Sequence, residues 1–75
     1  MNAATLGRLV RLRRQTLGLT QQALAEVAEL SVHALSDLES GKANPTLAVM
    51  SRVADALGME LRLEVRRPGD GGIGA

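Results

Sequence analysis

The chain has 75 residues, nine Lys and Arg against eight Asp and Glu, and no Cys, Phe, Tyr or Trp. That length makes one domain whose core contributes roughly 3–5 kcal/mol of net stability, and the missing cysteines exclude disulfides and thiolate metal sites. The missing aromatics argue against single-stranded nucleic-acid modules, which stack bases on rings. No apolar run approaches the ~20 residues of a membrane span.

Leu6, Leu9, Val10 and Leu17 recur at helical spacing and predict a first helix. Arg8, Arg11, Arg13 and Arg14 crowd it, with no acid before Glu26, so a local basic face is expected although the net charge is only +1. Gly18 ends this helix, because glycine readily takes the left-handed conformation past a helix C-terminus. Thr20 is a good N-cap for a second helix, with Ala23, Leu24, Val27 and Ala28 facing inward. After a weakly marked break near Glu29 and Leu30, Ser31 caps a third helix with Ala34, Leu35 and Leu38 inward, and Gly41 ends it.

Asn44-Pro45-Thr46 reads as a turn followed by a cap. A fourth helix then runs to about Leu57, with Leu47, Met50, Val53, Ala54 and Leu57 on one face, and Gly58 stops it. From there the period changes to two: Met59, Leu61, Leu63 and Val65 alternate with Glu60, Arg62, Glu64 and Arg66, which predicts a strand with one apolar face. Residues 67–75 contain Pro68 and four glycines and are expected to form a flexible tail. The expected organisation is a helical DNA-binding unit over 1–58, a dimerisation strand over 59–66 and the tail.

Two short helices joined by a tight turn, with a third packed behind, can set one helix end into the major groove. The second and third helices have that length and spacing, although many small bundles share it. The residues are more specific. Leu19-Thr20-Gln21-Gln22-Ala23-Leu24-Ala25-Glu26, followed by Ser31, Leu35, Leu38, Glu39, Gly41, Lys42 and Pro45, and preceded by Arg14 and Gly18, resembles the lambda-repressor/Cro (XRE) helix-turn-helix family over roughly residues 6 to 57. The resemblance implies an all-α, four-helix lambda-repressor-like domain that binds double-stranded DNA.

It also implies roles by position. Gln21 stands where the family contacts phosphate. Val32, His33, Ser36 and Asp37 stand on the exposed side of the third helix, where the family reads bases, with Ser31 at its start. Lys42 and Asn44 stand where it contacts phosphate again, and Arg14 and Glu39 where it has a buried ion pair. Glu29 departs from the pattern, since this family often has Gly in that turn and a left-handed backbone there costs a side chain about 1 kcal/mol or more. The reading face departs too: no Arg, Asn or Gln lies between Ser31 and Ser40 to make bidentate base contacts. Val32 suits a thymine methyl, His33 can donate to guanine, and Asp37 can accept from cytosine but repels phosphate. Indirect readout of DNA shape gains weight accordingly.

A lone strand leaves its backbone donors and acceptors unpaired, and no second strand candidate exists. The simplest partner is the same strand, Met59, Leu61, Leu63 and Val65 included, in a second copy. In an antiparallel pair centred on Leu63, Glu60 faces Arg66 and Arg62 faces Glu64, so every charged cross-strand pair is opposite in sign. Centring on Arg62 or Glu64 opposes like charges, a difference of roughly 0.2–1 kcal/mol for each pair. A helix-turn-helix followed by such a strand is similar to the HipB-like antitoxins, in which the strand pairs across the dimer. The protein there represses its own operon and binds a HipA-like toxin kinase. Weak direct DNA binding with a partner protein as the main ligand, a phage repressor and a restriction–modification controller are the competing readings.

No enzyme is expected. The sequence has no evident nucleophile–base pair, and Gly69 to Gly74 follow no helix-forming segment that could make a phosphate loop work. Ser31 is better used as a cap, and one helical turn does not aim Ser31 and Asp37 at His33 in triad geometry. One histidine with scattered acids builds no metal site, so no cofactor is expected. With no signal-like N-terminal run, the expected location is the cytoplasm.

Overall fold

The computed structural model describes residues 1–66. Four helices follow in order: α1 Ala3–Thr16, α2 Gln21–Val27, α3 Val32–Glu39 and α4 Leu47–Ala56. Each begins on a side chain that accepts a backbone N–H three residues on. Asn2 takes it from Thr5 at 2.8 Å, Thr20 from Ala23 at 3.0 Å, Ser31 from Ala34 at 3.0 Å and Thr46 from Val49 at 3.1 Å. Such caps are worth about 1 kcal/mol each.

All four helices also end alike, in paired bonds that satisfy two terminal carbonyls through a left-handed residue. Gly18, Gly41 and Gly58 supply that residue after α1, α3 and α4, and Glu29 supplies it after α2 with φ of 58°. There the Glu29 N–H donates to the Glu26 carbonyl at 3.2 Å and the Leu30 N–H to the Ala25 carbonyl at 2.8 Å.

The core is aliphatic throughout: Val10, Leu24, Ala25, Ala28, Leu35, Leu38, Met50, Val53 and Leu57, with Leu6, Leu19, Leu30, Val49 and Met59 packed around it. α1 and α2 both lie against α3, and α4 closes over α2. The α1–α3 approach is close because Gly7 is buried and lacks a side chain. A Cβ built there falls 2.6 Å from the Glu39 carbonyl oxygen and closer still to that of Leu38.

Several positions expected inward are exposed: Leu9, Leu17, Val27, Ala34 and Leu47. Leu17 and Leu47 sit at helix ends, beyond the packed layers. Val27 lies about 100° around the helix from Ala28, off the arc that Leu24, Ala25 and Ala28 bury.

The expected strand over Met59–Arg66 is not formed in the single chain. The segment makes no ladder, and only Met59 reaches the core. Leu63 and Val65 are fully exposed. The physical reason is the one that motivated a second copy, since no strand among the described residues is available to pair with it. Arg62 nonetheless lies 3.9 Å from Glu60 and 3.8 Å from Glu64. Those three side chains therefore share one side of the segment, in keeping with the period of two. The expected tail at 67–75 lies outside the described residues. No helix among the described residues is long and apolar enough to cross a membrane.

Candidate nucleic-acid interface

The position of α3 is set from behind. Arg14 donates from Nε to Glu39 Oε2 at 2.7 Å, from Nη2 to Oε1 at 3.0 Å and from Nη1 to the Leu19 carbonyl at 2.8 Å. The two side chains are 12% and 4% exposed. The hydrogen bond to Glu39 raises the Arg14 pKa above its ordinary value and the carboxylate's charge adds to that, against the opposing effect of burial. A forked bond of this kind fixes orientation as well as charge. It ties the end of α3 to both α1 and the residue that leads into α2.

Gln21 joins this lock. Its Nε2 donates to Glu39 Oε1 at 3.1 Å, so one of its two amide hydrogens is committed inside the protein. The other end of the α2–α3 turn is held by α4, where Arg52 donates from Nε to the Ala28 carbonyl at 2.9 Å. Arg13 does the same for α4 itself, donating to the Leu57 carbonyl at 3.0 Å. No buried side-chain nitrogen or oxygen among the described residues lacks a partner.

With its back so held, α3 presents Val32, His33 and Ser36 outward, and Asp37 is half-buried at the edge of that face. His33 Nε2 lies 3.4 Å from Asp37 Oδ2, one turn away on the same helix. Ser31 accepts the Ala34 N–H as helix cap and keeps its hydroxyl hydrogen available. Lys42 and Asn44 are exposed on the segment after α3, where the Lys42 N–H closes the helix on the Asp37 carbonyl at 2.9 Å.

Gln21 and Ser36 come together at a notch between α1, α2 and α3, whose other walls are Arg11, Arg14, Glu39 and Ser40. Val32, His33, Lys42 and Asn44 stand outside it. Of the four arginines expected to form one basic face, Arg13 and Arg14 are occupied by internal bonds, and Arg8 and Arg11 remain exposed. From the sequence Arg11 is one of four arginines in a basic group and has no site role of its own. Its spacing of three from Arg14 is the signal that places both on one side of a helix. Arg52 and Arg13 carry no comparable signal, because each bonds a backbone carbonyl far away in sequence. Among the described residues no group of three His, Cys, Asp or Glu could hold a metal ion.

The family model HTH_3, described as helix-turn-helix, matches residues 10–63, more than half of the chain. An immunity repressor protein of Bacillus phage phi105 is 40% identical over 57 residues, which are 76% of this chain and 40% of that one. An uncharacterised HTH-type transcriptional regulator of Methanothermobacter thermautotrophicus is 42% identical over 52 residues, 69% of this chain and 75% of that one. The chain thus spans less than half of the phage protein and most of the archaeal one. Among solved structures, the restriction-modification controller protein C.AhdI from Aeromonas hydrophila superposes with a TM-score of 0.75 at 29% identity, over 77% of this chain and 88% of that one.

Proposed function

Because the chain belongs to the helix-turn-helix family HTH_3, we propose that it is a cytoplasmic transcriptional regulator that binds double-stranded DNA in a sequence-specific way and represses as a homodimer. The observation that carries this reading is the state of α3: anchored from behind by Arg14, Glu39 and Gln21, with its outer face left to solvent. A helix held rigidly with a free face is what insertion in the major groove requires. In this reading Ser31, Val32, His33, Ser36 and Asp37 meet base edges or the adjoining backbone, and Gln21, Lys42 and Asn44 contact phosphates.

The roles separate experimentally. Lys42→Ala lowers affinity for every duplex alike, because phosphate contacts carry no sequence information. Val32→Ala and His33→Ala change the ranking among sequences. Equal rankings for wild type and both α3 variants would contradict the assignment of α3 as the reading element.

The second copy comes through residues 59–66. Leu63 and Val65 are fully exposed apolar side chains, and the Leu63-centred antiparallel pairing sets opposite charges against each other along the ribbon. Light scattering tests this directly, with Leu63→Glu placing like charges across the two-fold axis. Wild type is expected as a dimer and the variant as a monomer; a wild-type monomer or an unchanged variant would refute it.

The narrower form of the proposal is an antitoxin of HipB type that also binds a HipA-like toxin kinase. It rests on the alternating segment after α4. Co-purification with such a kinase supports it, whereas operator binding with no protein partner favours a plain repressor of the phage or restriction–modification controller kind.

A further inference from the structure

The four arginines of α1 are not equivalent. Arg13 and Arg14 are bonded to backbone carbonyls and to Glu39. Arg8 and Arg11 are exposed and belong to no ion pair among the described residues. Of these two, only Arg11 lines the notch shared with Arg14, Gln21, Ser36, Glu39 and Ser40.

The charges in that notch sum simply. Glu39 is cancelled by Arg14 at 2.7 Å, which leaves the single positive charge of Arg11. The neutral donors are placed around it. Gln21 gives one amide hydrogen to Glu39 and keeps the other. The Ser36 hydroxyl is exposed beside it. The Ser40 hydroxyl donates to the Asp37 carbonyl at 3.1 Å, so it contributes a wall and not a donor. One cation with neutral N–H and O–H donors matches a phosphodiester, which carries one negative charge on two unbridged oxygens.

We propose that this notch seats a phosphate of the DNA backbone and that Arg11 supplies the charge that binds it. The proposal rests on the reading of α2 and α3 as a DNA interface and adds to it a contact from α1. Arg11 then clamps the backbone strand beside the groove that α3 enters, which also sets the angle at which α3 lies in it. The contribution is independent of base sequence, as for any phosphate contact.

The test is the salt dependence of binding to a fluorescently labelled random-sequence duplex, measured by anisotropy for wild type, Arg11→Ala, Arg11→Lys and Arg8→Ala. Each neutralised phosphate contributes about 0.9 to the slope of log affinity against log salt. Arg11→Ala is expected to lower that slope by about 0.9 for each protomer bound. Arg11→Lys retains the slope, and Arg8→Ala, which removes the same charge one turn away, loses less than half as much as Arg11→Ala. Because Arg11 is exposed and forms no ion pair among the described residues, its variants keep the wild-type circular dichroism spectrum. An unchanged slope in Arg11→Ala overturns the proposal and leaves the DNA reading standing. Equal losses in Arg8→Ala and Arg11→Ala overturn it as well, since diffuse charge then suffices. No binding by wild type at low salt overturns the DNA reading and the proposal together.

Discussion

Replacing Glu29 by glycine should stabilise the protein. Glu29 holds φ of 58° at the end of α2, the one left-handed position among the described residues not occupied by glycine. A Cβ there costs roughly 1–2 kcal/mol against the following carbonyl. Glycine relieves this, but its freer unfolded chain returns about 0.4–1 kcal/mol of the gain. Glu29 is exposed and forms no side-chain hydrogen bond or ion pair among the described residues, so nothing else is lost. Its negative charge past the C-terminus of α2 is itself unfavourable to the helix dipole by a few tenths of a kcal/mol. The net expectation for Glu29→Gly is about 0.5–1 kcal/mol of added stability, a rise in Tm of about 2–8 °C for a domain this small. With no Trp or Tyr to report by fluorescence, the assay is circular dichroism at the helical minimum during thermal or urea unfolding. Glu29→Ala separates the causes, since it removes the charge but keeps the strain, and it should recover less than half of the glycine gain. A Glu29→Gly Tm at or below wild type, or an equal rise in Glu29→Ala, would refute the strain argument.

Three further outcomes follow from the same packing. Glu39→Ala strands the Arg14 guanidinium and a Gln21 amide hydrogen in a mostly buried place, at a cost of about 3–5 kcal/mol. Glu60→Ala touches only an exposed contact, so equal melting temperatures for the two variants would contradict the lock. Gly7→Val drives a side chain into the α3 carbonyls; overpacking of about 3 kcal/mol or more matches the whole stability of a core this size. Loss of the helical spectrum at room temperature is expected, and a wild-type melt would show that α1 and α3 are not so close. Arg52→Ala frees the Ala28 carbonyl and costs about 1–2 kcal/mol, read as a lower urea midpoint with an unchanged slope; an unaltered midpoint would remove α4 from the support of the turn.

Much of this fold could be read along the chain because its punctuation is local. Thr20, Ser31 and Thr46 act on backbone three residues away, and Gly18, Gly41 and Gly58 act on the turn they end, so both kinds of signal survive without tertiary knowledge. The departure at Glu29 was legible for the same reason. Burial at helix ends was not. Leu17, Val27 and Leu47 fit or nearly fit the helical period, but whether a neighbour covers them depends on where the other helices stop. The Arg14–Glu39 pair behind α3 was legible from the family motif, but the rest of the site's support was hidden. Arg13 and Arg52 bond carbonyls dozens of residues away, and Gly7 matters only because α3 crosses there. Residues 59–66 show a further limit, since alternation states which side chains share a face but a single chain cannot supply the ladder.

The central claim is that α3 of a two-fold dimer reads duplex DNA. Selection from a pool of random duplexes, with the full chain as bait at low salt, tests it most directly. The expected result is enrichment of a two-fold symmetric motif with half-sites about one helical turn, roughly 34 Å, apart, and retention that falls as salt rises. A pool that stays random, with no retardation of any duplex at low salt, would contradict it.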